Sequence, residues 1–89
     1  SEDEARENLD LVDPEEQQKT LQNALQNLSD DDYLIINLFY LKELAVADIS
    51  SITGLSSANV KVKLHRIRKK LYVQMQDELI KSELMIKNL

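Results

Sequence analysis

Between Val60 and Leu71 the chain reads VKVKLHRIRKKL: six Lys or Arg, one His and no acid. The whole chain carries 16 Asp and Glu against 11 Lys and Arg, so over half of its positive charge lies in these twelve residues. Nucleic acid is the ligand such side chains suit. Lys and Arg can donate to guanine O6 and N7, Asn can pair with adenine, and an exposed Val can touch a thymine methyl. Asn59, Lys61, Val62, His65 and Arg66 are therefore candidates for base reading or groove fit. Lys63, Arg68, Lys69 and Lys70 are candidates for phosphate contacts, which position a protein without specifying sequence. Ser56 and Ser57 stand where a helix would begin, and the free N–H groups of a helix N-terminus can hold a phosphate.

Other chemistry finds little to work with. His65 is the only His, there is no Cys, and no acid lies between Asp48 and Asp77. A metal ligand or catalytic base at His65 would lack partners nearby in sequence. Ser29 and the acids Asp30, Asp31 and Asp32 suggest helix capping before they suggest a metal site. No nucleophile–base pair is visible, so no catalytic residue, metal or cofactor is assigned and the chain is not expected to be an enzyme. The plain alternative for the basic residues is a solvated helix face. The acid-free window argues against it, because at cellular salt a local patch outweighs the net charge of the molecule.

These side chains must be positioned by helices. Val60, Leu64, Ile67 and Leu71 are spaced 4, 3, 4. With Val60 at zero and about 100° per residue, the four cluster near zero. Ala58, Val62, His65, Arg66 and Lys69 then fall on the opposite face, flanked by Asn59 and Lys61. Upstream, Gly54 is the only Gly, placed where a helix end needs a left-handed residue. Ile49 and Ile52 offer an inner face for a short helix before it, Leu55 can plug the gap, and Ser56 can cap the next helix. Two short helices joined by a three- to four-residue turn containing Gly make a helix-turn-helix.

Toward the N-terminus, the stretch DPEE reads as a helix start, with Asp13 as cap, Pro14 at the first helical position and Glu16 at capping-box spacing. Leu21, Ala24, Leu25 and Leu28 follow as an amphipathic stripe. Ser29 or Asp30 caps a second helix, and the apolar run Tyr33 to Leu41, broken only by Asn37, reads as its buried body. The expected fold is all-α: four helices at about 14–27, 30–41, 46–53 and 57–75. It carries a C-terminal helix-turn-helix of the winged-helix-like DNA-binding superfamily, without a wing. Past Leu71 no breaker occurs, so the last helix either continues toward 88 or restarts after a kink, with its apolar residues meeting the first helix or a partner.

Length and composition fit this plan. Eighty-nine residues make one domain, expected at 13–89, behind an acidic lead-in or linker at 1–12. One Gly and one Pro leave few turn signals, which favours helices. The lack of Cys agrees with a cytoplasmic setting. No apolar run approaches about 18 residues, so no membrane contact is expected. The chain opens on Ser1 rather than Met, the mark of a fragment, which leaves room for a domain upstream.

The stretch LSSANVKVKLHRIRKKL closely resembles the end of region 4 of bacterial RNA polymerase sigma factors of the extracytoplasmic-function class. The family's turn-and-helix pattern is carried here by Ile49, Ile52, Gly54, Leu55, Ser56, Val60, Lys61, Leu64, His65, Arg66, Arg68 and Leu71. The preceding LQNLSDDDYLIINLFYLKELAVADI resembles the first half of the same domain, so the likeness covers about residues 21–72. It departs from the pattern at Ser29 (Pro is common), Ala45 (Ser or Thr is usual, so the third helix could fray) and Ser50 (Ala is usual). The resemblance implies recognition of the double-stranded promoter −35 element, with Lys61, Val62, His65 and Arg66 at the DNA-contacting positions. It also implies partners: the β-subunit flap of RNA polymerase, and an anti-sigma factor. No small-molecule substrate is implied. Nothing in the 89 residues corresponds to region 2.

Two other readings remain open from the residues. The output domain of a response regulator shares the helix-turn-helix, and a dimer through the last helix would favour it. A protein-interaction module would instead dock the apolar second helix and the tail on polymerase or an inhibitor.

Overall fold

The computed structural model describes Asp3 and residues 12–87 of the chain. The linker expected at 1–12 lies, apart from Asp3 and Val12, outside the described residues. Among the described residues from Val12 onward, four helices follow one another: α1 (Pro14–Gln26), α2 (Asp30–Tyr40), α3 (Val46–Thr53) and α4 (Ser57–Lys87). There is no strand, and hence no wing, among the described residues.

Each helix begins for a local reason. Pro14 opens α1, and the Asp13 carbonyl accepts the Gln17 N–H at 2.9 Å. The Asp13 side chain makes no capping bond, so the capping box expected there does not form. Asp13 is exposed, its first-turn N–H groups are within reach of water, and Pro14 already fixes the entry angle. Ser29, not Asp30, caps α2: its Oγ accepts the Asp32 N–H at 3.2 Å, and three acids occupy the positive end of the helix dipole. Ala45 cannot cap α3 with its side chain, yet the helix begins directly after it, because the Ala45 carbonyl takes the N–H groups of both Asp48 and Ile49. Ser56 caps α4 through the Asn59 N–H at 3.1 Å.

The turns need left-handed backbone at two places. Gly54 ends α3 with φ of 77°, its N–H bonded to the Ser50 carbonyl at 2.9 Å. Glu43, between α2 and α3, has φ of 54° and is the one non-Gly residue with positive φ among the described residues. An L-residue there works against its own Cβ.

The chain divides into two compact units. The first is Leu28–Arg68, where α2 packs on α3 and the buried apolar side chains are Ile35, Ile36, Ile49, Val60, Leu64 and Ile67. Ile49 and Val60 are 0% exposed, and burying each such side chain is worth about 2 kcal/mol. Two expectations are corrected here. Ile52 is 59% exposed and does not share the inner face with Ile49. The two sit about 60° apart around α3, and so short a helix presents only a narrow buried arc. Nor is α2 buried throughout: Tyr33, Leu34 and Tyr40 are exposed, as is Leu41 just beyond it. A helix turns every residue about 100°, so a wholly apolar run must show some of itself unless covered on all sides.

The second unit joins α1 to α4 from Lys69 onward. Thr20, Ala24, Leu71 and Met75 are buried in it, with Leu21 and Leu25 half-buried. Buried Thr20 satisfies its hydroxyl by donating to the Glu16 carbonyl at 2.8 Å. Asn23 Nδ2 donates to Glu78 Oε1 at 2.6 Å. The tail is thus a continuation of α4, without a second start, and its first half meets α1. Beyond Glu78, Ile80, Leu84, Met85 and Ile86 are exposed.

Candidate nucleic-acid interface

The turn between α3 and α4 is stitched by side chains. Thr53 Oγ1 donates to the Ile49 carbonyl at 2.7 Å and accepts the Leu55 N–H at 3.3 Å. Ser50 Oγ donates to the Leu55 carbonyl at 2.5 Å. Ser50 therefore has a use that Ala at the same place could not supply. Together with Gly54 and the Ser56 cap, these bonds set the angle at which α4 leaves α3. Leu55 is half-buried, in keeping with its expected place in the gap.

On α4 the core stripe is well separated from the polar faces. Val60, Leu64, Ile67 and Leu71 are all buried, as their spacing predicts. Ser57, Asn59, Lys61, Val62, His65, Arg66, Lys69 and Lys70 are all exposed. Lys63 is half-buried, and a Lys in such a place can cover apolar surface with its stem while its ammonium stays in water. Val62 is 46% exposed in the midst of these polar groups, so it contributes surface and not core. These nine residues thus lie on one continuous helix.

The electrostatics are one-signed over this stretch. No acid occurs between Asp48 and Asp77, while the flanks and outer face of α4 present Lys61, Lys63, Arg66, Arg68, Lys69 and Lys70. In the first turn of α4 the cap takes the Asn59 N–H, and the Ser57 and Ala58 N–H groups are among those an α-helix leaves without an intrahelical acceptor. That positive end favours anions. Arg68 does not extend freely as a phosphate contact would suggest, because its guanidinium donates to the Tyr40 hydroxyl at 2.9 Å. Neither Tyr40 nor the stitching Thr53 was legible as a contributor from spacing. Their roles depend on a meeting of helices that no local pattern announces.

The exposed side chains of α4 have the chemistry of phosphate and base-edge contacts. Among the described residues no group of three His, Cys, Asp or Glu could hold a metal ion. Among them, too, no helix is long and apolar enough to cross a membrane. A second helix of a helix-turn-helix enters the major groove with its N-terminal half toward the base edges. The exposed half of α4 carries side chains of that chemistry, flanked by cations on both sides.

Comparison with protein families agrees on the region that matters. The family model of sigma-70, region 4 matches residues 18–71, a span that opens in α1 and closes on the last residue of the α4 core stripe. No curated protein and no solved structure matches the chain.

Proposed function

Because this chain belongs to the sigma-70 region 4 family, whose domains bind promoter DNA and RNA polymerase and are not enzymes, we propose that it reads the −35 element of bacterial promoters as part of a sigma factor of the extracytoplasmic-function class. The observation that carries this reading is the outer face of α4, where Asn59, Lys61, Val62, His65 and Arg66 stand exposed opposite the buried stripe. In this reading Arg66 and Lys61 donate to guanine, Asn59 reads adenine, and Val62 and His65 shape the groove contact. Lys63, Lys69 and Lys70 seat phosphates, and Ser57 does so at the helix N-terminus. Residues 13–89 form the working domain, residues 1–12 are an acidic linker or lead-in to it, and the protein acts in the cytoplasm with polymerase.

The test is binding of the 89-residue chain to a −35-containing duplex and to a random duplex of equal length. Arg66→Ala should lower affinity for the specific duplex by roughly 10- to 100-fold while changing the random duplex far less. Equal losses on both would overturn base reading by Arg66.

A second reading rests on its own observation. Tyr33, Leu34 and Leu41 make an exposed apolar face on and just past α2, rich enough to take a protein partner. The β flap of polymerase and an anti-sigma factor are the partners proposed for it. Leu34→Glu should abolish capture by polymerase core while leaving DNA binding intact. Family membership favours the sigma-factor reading over the response-regulator alternative.

A further inference from the structure

Arg68 and Tyr40 come from different helices and meet at the edge of the proposed DNA face. Arg68 Nη2 donates to Tyr40 Oη at 2.9 Å, and both residues are exposed. Tyr40 is the last residue of α2, and its ring meets Phe39 edge-on, with centroids 5.0 Å apart at 88°. That contact limits the ring's freedom, and Phe39 itself is half-buried. The hydroxyl is therefore offered from a supported position.

Around α4, Arg68 lies about 80° and Lys61 about 100° from Val60, so the two occupy the same flank of the helix, the flank toward the C-terminal end of α2. Arg66, Asn59 and Lys70 occupy the other flank, at about 240° to 280°. A helix inserted in a major groove has one phosphate backbone on each side, so each flank faces its own strand. The flank of Arg68 is built from side chains of two helices, α4 and α2.

A Tyr hydroxyl has one proton to donate and two lone pairs to accept with. When it accepts from Arg68, its own proton is turned away from the guanidinium and can be given to a phosphate oxygen. Tyr is among the side chains that contact DNA phosphates. Holding a long Arg in place before binding also removes part of the ordering cost that a free side chain would carry.

We propose that Tyr40 is a positioning residue for the DNA contact of Arg68, and that the two hydroxyl and guanidinium groups form a single phosphate seat on the α2 side of α4. The inference rests on the reading of α4 as the DNA-binding helix. It adds a residue outside the helix-turn-helix to the DNA surface, and it assigns that residue to backbone seating with no part in base choice.

The experiment is a double-mutant cycle on the full 89-residue chain, with Tyr40→Phe, Arg68→Gln and the pair, measured on specific and random duplexes across a salt series. Tyr40→Phe keeps the ring and its contact with Phe39, so helicity and thermal midpoint should stay at the starting values. Affinity should fall about three- to tenfold, equally on both duplexes. Arg68→Gln should also make the slope of log affinity against log salt shallower by about 1. The pair should bind more weakly than Arg68→Gln alone, but by a smaller factor than Tyr40→Phe shows in the unmodified chain, because the part of the Tyr40 effect that acts through Arg68 is already gone. Unchanged affinity in Tyr40→Phe, or losses that simply multiply in the double variant, would overturn the seat even while Arg66→Ala still loses sequence preference. Failure of the unmodified chain to bind either duplex would instead overturn the reading of α4, and this proposal with it.

Discussion

Gly54 and Glu43 bracket α3, and both hold left-handed backbone, so exchanging their chemistry isolates what that conformation costs. Gly54 has φ of 77°, and a Cβ built on it would meet nothing within 4 Å. Gly54→Ala therefore creates no collision with neighbours. What remains is the strain of an L-residue in the left-handed region, roughly 1–2 kcal/mol. Against it stands the stiffer unfolded chain of the Ala variant, worth about 0.4–1 kcal/mol. The net loss is about 1 kcal/mol. Glu43, with φ of 54°, already carries the strain, so Glu43→Gly should gain a similar or slightly smaller amount. The assay is urea unfolding followed by far-ultraviolet circular dichroism. For a chain this small the urea dependence is about 1 kcal/mol per molar, so the midpoint should fall by about 1 M in Gly54→Ala and rise by somewhat less in Glu43→Gly. The eight residues of α3 span about 12 Å, so the double variant should return near the starting value by additivity. A neutral Gly54→Ala would mean that the turn is not held left-handed. A loss above about 3 kcal/mol would mean that the added Cβ meets an obstacle, and the argument from open space would fail.

Two more outcomes follow from the burial pattern and the charge. Ile49→Ala should cost about 3 kcal/mol, since the side chain is fully buried, whereas Ile52→Ala at 59% exposure should stay within about 0.5 kcal/mol. Comparable losses at both, measured by the same urea unfolding, would show that Ile52 is covered after all. On a duplex, the six cations from Lys61 to Lys70 should give a log–log salt slope of about −5 if all seat phosphates, and Lys69→Ala should make it shallower by about 1 on every sequence. A Lys69 variant with the parent slope would remove that residue from the DNA surface.

Much of the site could be read from the chain because it lies on one helix. The 4, 3, 4 spacing of Val60, Leu64, Ile67 and Leu71 fixes which way α4 turns, and so which residues face out. Gly54 and Ser56 were legible for the same kind of reason: a left-handed turn residue and a helix cap act on their immediate neighbours. Pattern failed where a side chain's fate depends on another helix. Spacing placed Ile52 inward beside Ile49, and apolarity placed all of α2 inside, yet Ile52, Tyr33, Leu34 and Tyr40 are exposed. Asp13 had the right spacing for a capping box and makes no such bond.

The sequence by itself determined the helices, the turn, the segregation of charge and the face of α4 that is exposed. Each of these follows from interactions within a few residues, or from the period of the α-helix, and both are properties of the chain's order alone. Tertiary structure decided that Arg68 is held by Tyr40, 28 residues away, that Asn23 meets Glu78, 55 residues away, and that the tail runs on unbroken with its first half against α1. Those pairings depend on how helices pack. Packing is settled by the shape and volume of many side chains at once, which no short stretch of sequence contains.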